Sequence, residues 1–205
     1  MNANLDETLC KTFPKIFRDR HADMRTTAMC WGFDHDDGWY NIINQLCGNI
    51  QHHIDWTRER RARALRYNRA LKRALKGDKT DLLMFFTFNK ENRKNKVFST
   101  YAIESVEQEV SREVPEYRHV PEACPQVVAD QIKEKFGTLR FYYHGGDDMV
   151  DGMVRMAESM SGVTCETCGN PGQMRNGGWV RTLCDKHAEE QGYMLEDSDE
   201  NQVSE

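Results

Sequence analysis

The sequence predicts an α+β fold, with N-terminal helices, central β-hairpins and a small C-terminal module organised by two metal-ligand turns. Three observations carry that prediction. Apolar residues recur at helical spacing through the first 56 positions. Paired apolar runs flank polar turns in the middle of the chain. Cys165-Glu166-Thr167-Cys168 and Cys184-Asp185-Lys186-His187 stand fifteen residues apart near the end.

Taken in order, Leu5, Leu9, Phe13 and Phe17 mark one face of a first helix. Pro14 interrupts or kinks it, because proline lacks an N–H and clashes one turn back. Residues 30–40 form an aromatic and acidic cluster in which Asp36 or Asp37 is placed to cap the next helix. That helix carries Trp39, Ile42, Ile43, Leu46, Ile50 and Ile54 on one face. Residues 1–56 are therefore expected to form the helical part of a core domain.

Residues 57–125 change character. Arg58, Arg60, Arg61, Arg63, Arg66, Arg69, Lys72, Arg73 and Lys76 stand against the single Glu59, and Gly77-Asp78 ends this basic helix. Leu82–Phe88 and Val97–Ile103 read as a hairpin about the polar stretch 89–96. Ile103, Val106, Val110 and Val114 then return to helical spacing, closed by Pro115.

Residues 126–162 are expected to complete the core. Two strands flank Glu134-Lys135-Phe136-Gly137, and Gly145-Gly146 stops the second. Asp147 or Asp148 then caps a helix with Val150, Met153, Val154, Ala157 and Met160 inward, ended by Gly162. Residues 163–192 form the metal module. Residues 193–205 read as a disordered tail, since 188–205 hold seven acids and no Lys or Arg. The rest of the chain carries 28 basic against 26 acidic residues, so the formal charge of −5 belongs to that tail.

Ligand type and spacing identify the C-terminal pairs as a Zn²⁺ site: Cys165, Cys168, Cys184 and His187 supply four N or S donors from two tight turns. With all four positions filled by protein, the site is expected to be structural and closed; catalytic zinc keeps a position open for water. Asn176-Gly177-Gly178 signals a hairpin between the pairs. The order of turn, hairpin and ligand-bearing helix start resembles a treble-clef zinc finger. Trp179, Arg175 and Arg181 on that hairpin suit stacking and phosphate contact, or else Trp179 covers the metal while the arginines are solvated; the second is expected. The other four cysteines read as small core residues of a reducing compartment. A second site of Cys30, His35, Cys47 and His52 has equal spacings but lacks the short turn.

Neither a membrane span nor a secretion signal is legible, so a cytoplasmic location is expected. Phosphate-binding loops, dinucleotide glycines and hydrolase elbows are missing from the sequence, which leaves catalysis without a motif. Arg58, Arg60, Arg61, Arg63, Arg66, Arg69, Lys72 and Arg73 are the candidate nucleic-acid contacts, because clustered cations release counterions from a phosphate backbone. The competing readings are a solvated charged helix or one paired to the acidic tail. Asp34, His35, Asp36 and Asp37 offer an acid–base cluster, with His144 or Arg140 as partners, or simply a helix cap.

Several phrases together resemble a family of small proteins encoded by tailed phages and prophages. They are Phe13-Pro14-Lys15-Ile16-Phe17, Met29-Cys30-Trp31-Gly32-Phe33, Asp37-Gly38-Trp39-Tyr40, Lys135-Phe136-Gly137-Thr138-Leu139-Arg140-Phe141 and Cys165-Glu166-Thr167-Cys168-Gly169. The resemblance covers roughly residues 10–56 and 126–190. Residues 57–125 stand as an insertion relative to its short members, and His35 replaces a frequent cysteine. It implies a phage protein acting in the host bacterial cytoplasm. Three functional expectations follow: binding nucleic acid or a nucleic-acid-handling host machine, inhibiting a host or defence protein, or a small enzyme using the 34–37 turn.

Overall fold

The computed structural model describes residues 1–193 and is of mixed α+β class. The acidic tail expected over 193–205 therefore lies, but for Tyr193, outside the described residues. The chain divides into two compact units, one of Met1–Ile54 with Cys124 onward, the other of Asp55–Ala123.

In the first unit, α1 (Ala3–Thr12) starts at Asn2, whose side chain accepts the Leu5 N–H, and stops at Phe13 before Pro14. A 3₁₀ turn at Ala28–Trp31 leads into the two-residue strand β1 (Phe33–Asp34). A second at Asp37–Trp39 runs directly into α2 (Tyr40–Ala74), whose first half belongs to this unit. Trp39, Ile42, Ile43, Leu46, Ile50 and Ile54 are all buried, as their spacing predicts. Each fully buried Ile or Leu on that face contributes roughly 1.5–3 kcal/mol.

That face packs with a three-stranded sheet, in the order Phe33–Asp34, Val128–Lys135 and Thr138–His144, and with the helix Asp148–Ser161. Strands β2 (Val128–Lys135) and β3 (Thr138–His144) are the predicted antiparallel hairpin, while β1 pairs parallel with β2 through Phe33↔Ile132 and Asp34↔Lys133. The hairpin turn holds Phe136 at φ 54° and Gly137 at φ 78°. Two successive positive φ values match the right-handed strand twist in a two-residue turn, and glycine takes one of them without strain. Val150, Val154 and Ala157 of α6 (Asp148–Ser161) are buried in the same core, and the helix is capped by Asp147 through the Val150 N–H.

The second unit is all helical, which corrects the hairpin expected there. Leu82–Phe86 lies in α3 (Thr80–Phe86), the polar stretch forms α4 (Lys90–Asn95), and α5 spans Thr100–Val110. An apolar run without alternation fits a buried helix as well as a strand, so periodicity could not decide between them. The caps do decide. Asn89 accepts the N–H groups of Glu91 and Asn92, and Ser99 accepts that of Ala102. Ala64, Tyr67, Ala70, Leu71 and Ala74 on the second half of α2 are buried; Tyr67, Leu71 and Ala70 pack in a small core with Leu82 and Val106. This stripe of alanines and one tyrosine is what made the segment look poor in apolar residues. Helix α5 ends at Val110, before Pro115 as expected, and Val114 stands 79% exposed beyond it.

Candidate metal centre and arginine groove

The C-terminal module is built from a tight turn, a short hairpin and one helical turn and a half. Gly169, at φ 78°, closes the first turn by donating its N–H to the Cys165 carbonyl at 2.8 Å. Strands β4 (Gln173–Arg175) and β5 (Arg181–Leu183) pair in register across the predicted Asn-Gly-Gly turn. Cys184 is the N-cap of α7 (Asp185–Glu190), so it and His187 project from the start of a helix.

Cys165, Cys168, Cys184 and His187 lie together and can hold a metal ion. The Cys165 and Cys184 sulfurs stand 3.5 and 3.2 Å from His187 Nδ1, and Cys168 Sγ lies 3.9 Å from Cys184 Sγ. A tetrahedron with metal–sulfur bonds of about 2.3 Å has edges near 3.8 Å, and sulfur–nitrogen edges are slightly shorter. These three separations are close to such edges, and all four donor atoms lie within 4.8 Å of one another, compatible with a tetrahedral ion. Burial pushes the Cys165 thiol up, but backbone N–H groups of Cys184, Cys168 and Thr167 outweigh it and leave it at about 7. Thiolate character at Cys165 is what a metal ligand needs. For Cys168, burial and the neighbouring Cys165 and Cys184 push the thiol up instead.

The 34–37 turn docks this module. Gly38 N–H donates to the Glu166 carbonyl at 2.7 Å, Asp36 N–H to the Glu166 carboxylate at 3.2 Å, and the Trp39 indole to the Thr164 carbonyl at 2.9 Å. Arg181 bridges Asp36 and Glu166, the latter at 2.9 Å, while the Thr182 hydroxyl donates to Gly137 O at 2.6 Å. Burial raises the Glu166 carboxyl, with Arg181 opposing. Asp36 and Asp37 of the acidic cluster are thus engaged in structural contacts. Asp36 stands at the N-cap of the 3₁₀ turn Asp37–Trp39 without a side-chain cap bond, and Asp37 accepts from Asn2. His144 pairs with Asp130, and Arg140 donates to Thr138 and to the Leu139 carbonyl.

The hairpin arginines correct the solvated reading. The Arg175 side chain is 4% exposed and pairs with Asp185 at the start of α7. Trp179 is 67% exposed and donates its indole N–H to Glu134. Cys30, His35, Cys47 and His52 do not come together among the described residues. None of the seven cysteines is in a disulfide.

His35 is buried, with Nδ1 2.7 Å from its neighbour's carbonyl and Nε2 without a partner. Burial holds its pKa down, to about 4, against the pull of the Asp36 carbonyl. The folded chain keeps the ring neutral, and the unfolded chain protonates it below about 6.5. Stability linked to His35 is thus present at pH 7 and lost as pH falls from about 6.5 toward 4. The loss is about 2–3 kcal/mol by pH 4.5. Denaturant titrations of the protein and of His35→Phe should diverge over that window. Equal slopes would reject the assignment.

A second group of donors had no spacing to betray it. His53, Cys124 and Asp147 lie within 4.8 Å of one another, with His53 Nε2 2.8 Å from the Asp147 carboxylate that also caps α6.

The eight predicted nucleic-acid contacts all lie on α2 and are all exposed. Several already have local partners: Arg61 donates to the Pro121 carbonyl at 2.9 Å, Arg66 pairs with Glu59 at 2.6 Å, and Arg73 pairs with Asp81. Arg60 lies 4.6 Å over the Trp56 ring and Arg63 5.6 Å over Phe85. Within the helical unit a groove of about 590 Å³ opens beside Arg63, Arg66, Arg69, Arg73 and Arg93. Met84, Phe85 and Phe88 supply its apolar lining. Sequence spacing alone did not bring Arg93 or the phenylalanines to the basic helix.

No family model, curated protein or solved structure matches the chain. No helix among the described residues is long and apolar enough to cross a membrane.

Proposed function

We propose that the chain is a phage-encoded accessory protein of the host bacterial cytoplasm that acts by binding nucleic acid or a nucleic-acid-handling host machine. Zn²⁺ on Cys165, Cys168, Cys184 and His187 stabilises a treble-clef-like module, and Arg58, Arg60, Arg61, Arg63, Arg66, Arg69, Lys72 and Arg73 face the phosphates. The observation that carries this reading is where the positive charge sits. Between Asp55 and Ala123 there are sixteen Lys and Arg against eleven Asp and Glu, a balance of +5 in a chain of −5. Folding places the densest part of that charge on the solvent face of one helix, where it meets a polyanion at little desolvation cost.

The zinc site holds up the module and leaves the binding to surfaces elsewhere, since a four-ligand shell has no position for a reacting water. Gel-shift titrations at several salt concentrations test the reading. Binding at low salt should weaken steeply as salt rises, and the combined substitution Arg60→Ala, Arg61→Ala, Arg63→Ala and Arg66→Ala should flatten the log–log slope by about 3. A chain that binds no nucleic acid at low salt, or a quadruple variant that binds unchanged, rejects it.

A further inference from the structure

We infer that the arginine groove of Asp55–Ala123 takes single-stranded nucleic acid, with bases stacked on Phe88 and phosphates held by Arg63, Arg69 and Arg93. The inference rests on the nucleic-acid reading above and gives it a substrate class. A basic helix face alone attracts any phosphate backbone, duplex or single strand. What separates the two is an aromatic surface. Duplex DNA keeps its base faces stacked on one another, whereas a single strand offers them to protein rings.

Phe88 supplies that surface. It lines the groove yet is 68% exposed, and it stacks on Tyr101, itself 57% exposed, with centroids 6.3 Å apart and planes at 29°. Two large, exposed rings thus lie near one another, and one of them, Phe88, lines the groove with the arginines. The neighbouring rings do not share this exposure: Phe85 and Phe86 pack edge-on against Tyr67 and are partly buried in the helical core. Phe88 is thus the groove's aromatic available to a ligand.

The charges agree with a short stretch of strand. Five arginines line the groove with two carboxylates, and these, Glu59 and Asp81, already hold Arg66 and Arg73. About three positive charges remain for phosphates. The volume of about 590 Å³ falls in the range of small-ligand sites, room for roughly one or two nucleotides. The three phosphates neutralised in the groove should contribute about −2 to the salt slope for a single strand.

The test is fluorescence anisotropy on the full chain with a labelled twelve-nucleotide oligo-dT, the matching oligo-U, a duplex of equal length, and a free mononucleotide as competitor. Single strands should bind tighter than the duplex, and the free nucleotide should compete only at far higher concentration. Tighter binding by either the DNA or the RNA strand supports the inference. Phe88→Ala should weaken single-strand binding roughly 5- to 100-fold with the salt slope unchanged. Phe88→Trp should retain binding, which separates stacking from loss of fold, and Arg69→Ala should reduce the slope by about 0.7. Equal duplex and single-strand affinity, an unaffected Phe88→Ala variant, or a free nucleotide that competes as well as the strand overturns it. Duplex binding that the quadruple arginine variant abolishes would leave the broader reading standing while this one fails.

Discussion

Cys165→Ser is expected to abolish stoichiometric zinc and to unfold the C-terminal module. The loss should reach the core as well. Apparent zinc affinities of structural sites correspond to about 10–16 kcal/mol, comparable with the whole stability of an ordinary domain. The module's own buried apolar core amounts to Cys165, Leu183 and Ala188, too little to hold a hairpin and a short helix. Chelation of the unmodified protein should reproduce the variant. Metal analysis should give one zinc per chain before chelation and none after. A melting temperature lower by more than about 10 °C would follow, given that a few kcal/mol shift a domain of this size by several degrees each. A variant that keeps its zinc and its melting curve would remove the metal from the architecture.

Gly38→Ala should also be damaging, although Gly38 is not itself a metal ligand. A Cβ on Gly38 would stand 2.2 Å from the Cys165 carbonyl oxygen, 2.5 Å from the Gly169 nitrogen and 2.6 Å from the Glu166 oxygen. All three are backbone atoms of the ligand turn, so no side chain can swing aside. Either the turn withdraws, breaking the bonds to Glu166 and Thr164, or the 3₁₀ turn before α2 shifts. The expected cost is about 3 kcal/mol, the upper part of the range for overpacked sites, together with weaker zinc retention. Gly152→Ala is the control. Its Cβ meets nothing within 4 Å on α6, and removing a helical glycine should stabilise by about 0.5–1 kcal/mol. Urea titrations of both variants, with zinc release followed by a chromogenic chelator, check the pair. Comparable stabilities for the two would rule out the close packing at Gly38.

The ligand tetrad was legible because its chemistry is local: two short turns set the donors, and the spacing is written in the chain. The Trp39–Ile54 face was legible for the same reason, since one helix period repeats over several turns. Leu82–Phe88 was not, because a run of seven residues, six of them apolar and without alternation, says nothing of period, and the deciding caps at Asn89 and Ser99 sat inside what looked like loop and strand. Longer-range assemblies left no trace. Arg181 reads as a surface cation until Asp36 and Glu166 are brought to it from two distant segments. His53, Cys124 and Asp147 meet only through the fold, as do Arg93, Phe88 and the basic helix.

The docking of the 36–39 turn on the metal module also fixes an order of events during synthesis. Asp36 waits for Glu166, 130 positions later, and Trp39 waits for Thr164, 125 positions later. At translation rates of about 5–20 residues per second, that delay is on the order of ten seconds. Throughout it the early turn has its backbone donors open to water or chaperone, while Asp55–Ala123, whose helical contacts are local, is free to fold. On the proposed zinc reading, metal capture by Cys165, Cys168, Cys184 and His187 comes last in that order, so chains made without zinc should show a finished helical unit and an unfinished core.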